Sequence, residues 1–246
     1  MKKVRRITEA EVIAEFLKGE FFHKEYDFDR DLFADIVYHP DLTNDAENAL
    51  RRALFYRRRG AMWWELPEDR QWWEIELEPE DIDHVSVFPR AHWVRLSGGN
   101  FRARHVADRV RHRVEHKNED RFAAKMSGIL SNIRSGAALG SIIFIGGNDH
   151  RRLVILEGNH RFVASLLALG KVPTAMRLVT GFSPHMGRCC WYKTNFLTLC
   201  RCLKNRIQHY WDRDADVAGL LEQTVQARSS GGYVESTDPA KSKLIS

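Results

Sequence analysis

The segment from Arg152 to Gly170 limits this chain more than any other. Leu153-Val154-Ile155-Leu156 is a short apolar run rich in β-branched residues, the pattern of a buried strand. Phe162 to Leu169 are helix formers with an apolar face, and Gly170 is placed to stop that helix. Between strand and helix lies Glu157-Gly158-Asn159-His160-Arg161. Glycine at such a turn lets backbone approach a ligand closely. The N–H groups that open the helix carry a positive field. Arg161 can grip phosphate oxygens in pairs, and His160 adds a donor. The turn reads as an anion site, for phosphate; the plainer alternative is a turn whose charges only cap the helix.

The flanks extend the pattern. Ile142 to Ile145 predicts a strand, and Gly146-Gly147-Asn148-Asp149 a hairpin turn leading to 153–156. No Gly-Lys-Ser/Thr follows, so this is not a Walker loop. Trp73 to Glu78 alternates apolar and acidic residues, as in a half-buried strand, and Pro79-Glu80-Asp81-Ile82 turns into a short helix. Residues 8–58 read as three helices. The first is capped by Thr8 with Glu11 completing a capping box, the second ends before His39-Pro40, and the third opens at Asn44 or Asp45. Arg51, Arg52, Arg57, Arg58 and Arg59 read as a solvated helix end. Trp63, Trp64, Trp72 and Trp73 read as packing between these helices and a sheet, with base stacking the sharper alternative.

Two metal motifs are tested by their neighbours. His112-Arg113-Val114-Glu115-His116, with His105 seven residues earlier near the same helical face, matches an inverted zinc-protease helix. The surrounding Arg102, Arg104, Arg109, Arg111 and Arg113 would repel Zn²⁺, so 101–117 reads as a basic exposed helix facing phosphates. Cys189, Cys190, Cys200 and Cys202 lack the paired Cys-x-x-Cys spacing of common zinc sites and read as buried thiols on a helix face. No apolar run approaches the ~20 residues of a membrane span. The N-terminus leads into Thr8-Glu9-Ala10-Glu11 rather than an apolar leader, so a cytoplasmic protein is expected. A net charge of +5 suits nucleotides, nucleic acid or acidic proteins equally.

Gly158-Asn159-His160-Arg161, set in strand–turn–helix–Gly–strand order, resembles the signature of the ParB/sulfiredoxin-like superfamily. Ile133 to Ile145 upstream, and Lys171 to Val179 as the next strand, extend the likeness over 72–182. The resemblance implies an α+β fold: a small mixed sheet of that type in 72–182, an N-terminal helical extension in 1–71, and C-terminal helices in 183–227. A disordered tail, 228–246, is expected from its Ser, Gly and Pro content. The partition branch resembles Gly-Glu-Arg-Arg at the turn and adds a helix-turn-helix, which is not evident after residue 196. The reductase branch carries a catalytic cysteine where Asn159 stands. The small-molecule kinase branch, with Asp-Gly-His-His-Arg, is nearest.

That branch implies an ATP-dependent (or other nucleotide-dependent) phosphotransferase acting on a small metabolite with Mg²⁺. Gly158, Asn159, His160 and Arg161 would hold phosphates, with Glu157 and His160 in catalysis and Glu157 the Mg²⁺ ligand. Glu78 or Glu80 would be the base, by position after the first strand, and Ser183 and His185 would line a substrate pocket. The alternative is a ParB-like nucleic-acid-binding protein using the Arg-rich 101–113 segment. A nuclease is weaker still, because the acidic run Glu74 to Asp83 has no metal motif.

Overall fold

A computed structural model of the chain describes residues 1–115, 121–137, 139–147, 152–211, 219–224 and 226. His116, Asn148 and Asp149 of the hairpin turn, and the expected tail lie outside these. The fold is α+β, built on a mixed sheet of six strands in the order β1-β2-β6-β4-β5-β3. The strands are β1 (Lys2–Arg6), β2 (Gln71–Glu76), β3 (Val85–Ser86), β4 (Ile142–Gly146), β5 (Leu153–Glu157) and β6 (Leu178–Phe182). β4 and β5 pair antiparallel, as the hairpin reading requires, while β4 with β6 and β3 with β5 run parallel.

Both faces of this sheet are covered, which explains why its central strands read as continuous apolar runs. On one face lie α1 (Glu9–Glu20), α2 (Asp27–Tyr38) and α3 (Asp45–Trp63). Their Phe16, Leu17 and Phe55 share a core with Ile143, Ile145, Val154 and Leu156. On the other lie α4 (Ala91–Ser97), α5 (Ala103–Glu115), α6 (Arg121–Arg134) and α7 (Asn159–Leu169). Val106, Met126 and Phe162 there pack against Ile142, Phe144, Leu153 and Ile155. The period of 2 along β4 and β5 thus deals alternate residues to two separate cores. α8 (Phe196–Trp211) follows β6.

Several expectations need correcting. β1 adds a charged edge strand to what read as a purely helical N-terminal region; Lys3 lies 4.9 Å from the centre of the Trp73 ring. Charged edges resist pairing with other chains. The last strand begins at Leu178 and runs through Thr180-Gly181-Phe182, a stretch that reads as loop. Gly181 is needed there because a Cβ would lie 2.7 Å from the Trp72 ring. Trp72 stacks on Trp63 at 5.2 Å, and both are buried, so these two are packing residues closed to base stacking. Thr8 accepts from the Glu11 N–H at 3.2 Å, but Glu11's carboxylate goes to Arg5 and Arg177 instead of closing the capping box. Arg51 is not solvated: it is 1% exposed and donates to Ile36 O, Asp41 O, Glu47 and Asn48.

Candidate functional site

The expected turn forms where β5 meets α7. Gly158 holds φ +91°, and a Cβ there would sit 3.1 Å from Ile142 Cγ1. Glycine is therefore required on two counts, backbone conformation and space. The first intrahelical bond runs from Phe162 N to Gly158 O at 2.9 Å, leaving the N–H groups of Asn159, His160 and Arg161 at the open end of the helix.

This turn is one wall of a cavity of about 530 Å³. The others are Gly19, Glu20 and His23 at the end of α1, Arg90 and Trp93 around the start of α4, and Lys125 on α6. Glu20, Arg90 and Lys125 carry no sequence motif; the fold alone gathers them. A volume of this size is within the range of small-ligand sites.

Arg161 is threaded between three glycines. A Cβ at Gly19, Gly140 or Gly158 would come within 3.3 Å of its guanidinium nitrogens. Its Nη2 donates to Ser141 O at 2.9 Å and to Glu157 Oε1 at 3.2 Å. Its Nε is buried without a hydrogen-bond partner. The guanidinium is thus fixed in direction yet not fully used.

Glu157 answers to opposing neighbours. Burial first, then the charge of Glu20, raises its pKa to about 7, while Arg161 pulls it down. Glu20 itself pairs with Arg59 and lies 3.6 Å from His23 Nε2. The Arg90 guanidinium lies over two rings, 4.6 Å from the centre of Phe88 and 5.5 Å from that of Trp191. Desolvation, then the like charges of Arg59 and Arg206, lowers its pKa. Cations crowded around one cavity favour an anionic ligand.

Other assignments shift. His160 packs against Trp93 at 5.0 Å, near Phe122 and His92, and burial followed by Lys125 depresses its pKa to about 3. At neutral pH it is a neutral imidazole, able to donate one hydrogen bond but not to act as a cation or a proton donor. The Asn159 side-chain oxygen accepts from Phe88 N–H at 2.8 Å, so that oxygen fixes the wall and is not directed to a ligand.

Glu78 and Glu80 are not among the cavity's lining residues. Glu78 lies 3.3 Å from the Met1 ammonium, and Glu80 precedes a 3-10 turn without a capping bond. Both follow β2, which lies on the far side of β6 from β4 and β5. Ser183 and His185 come together, but on Asp69: the hydroxyl donates at 2.6 Å and His185 Nδ1 sits at 2.8 Å. These bonds hold the Asp69 carboxyl below its ordinary range. Ser183 is fully buried and bonded to the carboxylate rather than to the imidazole, so it is not an activated nucleophile. Neither residue lines the cavity.

Arg102, Arg104, Arg109 and Arg111 are exposed on α5 and its N-terminal flank, with Arg104 on Asp83 at 2.6 Å, while Ala103, Val106, Ala107 and Val110 form a buried face. None of them lines the cavity. The acidic run is neutralised piecemeal, Glu74 by Arg5 and Arg177, Glu76 by Lys2, and Asp81 by the Met1 ammonium. Among the described residues no helix is long and apolar enough to cross a membrane. Comparison with family models, curated proteins and solved structures found no match, so the site stands on its own geometry.

Proposed function

We propose that the chain is a nucleotide-dependent phosphotransferase, ATP being the expected donor, acting on a small hydroxylated or amine metabolite. One observation carries this reading. A single cavity gathers the open end of α7, Arg161, Arg90, Lys125 and a carboxyl whose pKa is about 7. Phosphoryl transfer asks a protein mainly for positioning and neutralisation of charge. Arg161, Arg90 and the α7 N–H groups would hold phosphates, and Trp93 and Phe88 offer aromatic wall for a base.

Glu157 takes the role first expected of Glu78 or Glu80. A carboxylate with a pKa near the working pH is suited to accept the proton of an attacking hydroxyl. The donor set fits Mg²⁺, which binds by one or two carboxylates alongside phosphate oxygens. Glu20, the other carboxylate on the wall, would supply the oxygen, leaving Glu157 for the proton. When bound, the nucleotide and its metal supply the phosphoryl group and its charge neutralisation.

The test is turnover. Release of ADP from ATP and Mg²⁺, screened over pools of small alcohols and amines, is expected to fall by roughly 10²- to 10⁴-fold in Glu157→Gln. Nucleotide affinity should be nearly unchanged. Equal turnover in the variant removes Glu157 from the mechanism, and no turnover over any pool removes the enzyme reading.

A further inference from the structure

A second site lies away from the cavity, where α8 meets the body. A carboxylate oxygen of Glu65 and the Sγ atoms of Cys190 and Cys202 lie within 4.8 Å of one another, all on buried residues. Glu65 follows α3, Cys190 lies in the turn beyond β6, and Cys202 is on α8. We propose that Glu65, Cys190 and Cys202 bind a structural zinc ion that fastens α8 to the sheet.

The donor chemistry suits zinc, which takes thiolate and carboxylate ligands in tetrahedral sites. From Zn–S bonds of about 2.3 Å, two thiolates on one tetrahedral ion stand roughly 3.8 Å apart. Closing the two sulfurs from a separation within 4.8 Å therefore needs movement of no more than about 1 Å. Cys189, also buried, is the neighbouring residue in sequence and would be a candidate for a fourth position. A thiol binds a metal as the thiolate, so an entering ion displaces protons.

The build of α8 supplies a separate reason. Phe196, Leu197, Leu199, Leu203 and Ile207 are exposed, whereas Thr198 and Cys202, four residues apart, are buried. Asn205, on the same side, donates to Glu65 at 3.3 Å. Among the described side chains of α8 the inward face thus offers a hydroxyl, a thiol and an amide, groups that contribute little apolar burial. A metal bond across it would give the attachment that packing does not. Spacing alone misses this site, because the third ligand lies 125 positions before Cys190 in sequence (190 minus 65). It also corrects the reading of the cysteines as one buried helical set: Cys189 and Cys190 precede the helix, and Cys200 is exposed.

The experiment titrates reduced, chelator-treated protein with Co²⁺ and then Zn²⁺. Expected are one Co²⁺ per chain with a thiolate-to-metal charge-transfer band, its loss on adding Zn²⁺, and proton release on binding. Cys190→Ser and Cys202→Ser should each lose at least the roughly 10- to 100-fold in affinity that removing an outer partner costs. Cys200→Ser, the exposed neighbour, should bind as the parent does. The unmodified protein decides the matter even if a variant fails to fold: no charge-transfer band at one equivalent overturns the proposal. So does a Cys190–Cys202 disulfide in unreduced protein combined with no metal uptake after reduction. A band that survives in both serine variants places the metal elsewhere and overturns it equally.

Discussion

Glu157 sits in an environment that disfavours its charge, and the effect can be measured. Its pKa is raised from the ordinary carboxyl range to about 7. A group protonated more readily when folded stabilises the fold fully below its unfolded pKa, and that contribution is lost as pH rises through about 7. His160 works in the opposite sense: its lowered pKa means that stability falls as pH drops below the unfolded value and toward about 3. Glu157→Gln keeps His160 and removes the first effect. Its melting temperature relative to the parent should therefore climb between pH 5 and pH 8, read by calorimetry; a flat difference would show that burial does not raise this pKa. At the adjoining position, Gly158→Ala forces a Cβ against Ile142 with φ at +91°. A loss of about 1–3 kcal/mol is expected in chemical denaturation, the usual cost of a strained backbone. A neutral result would mean that the turn relaxes and that its shape is not set by glycine.

Among the elements, α3 shows how a charged residue can be structural. Arg51 donates to Ile36 O at the end of α2 and to Asp41 O in the loop, tying two elements to the first turns of α3. Arg51→Ala leaves buried carbonyls unpaired beside a void, and a loss of about 3 kcal/mol is expected by urea denaturation. A change under 1 kcal/mol would show that water replaces the guanidinium. Arg51 looked like surface because composition cannot reveal which arginine of a cluster turns inward. By contrast, β5, its turn and α7 were legible, since strand, glycine and apolar helix face are all local signals. The three N-terminal helices were legible for the same reason, Asn44 capping the third as expected. β1 was hidden because an edge strand of Lys and Arg has no apolar period, and the end of β6 because Thr180 and Gly181 mimic a turn. The site followed this division. Gly158 and Arg161 announce themselves, whereas Glu20, Arg90 and Lys125 reach the cavity only through tertiary packing, and Glu78 and Glu80 do not reach it at all.

For the molecule as a whole, the sheet holds two helical layers apart, and the cavity draws walls from both: α1 from one, α6 and α7 from the other. A ligand seated there bridges the layers and binds only the folded chain, so it raises the melting temperature in proportion to the logarithm of its concentration. At 100 times its dissociation constant a nucleotide should add about 2.7 kcal/mol. The central claim, that the Glu157–Arg161 turn seats phosphate, is tested most directly by calorimetric titration of ATP with Mg²⁺ into the parent and into Arg161→Ala. Saturable binding at one site per chain in the parent, and at least tenfold weaker binding in a folded variant, is the expected result. Equal affinity in the two proteins, or no heat of binding in the parent, would contradict it.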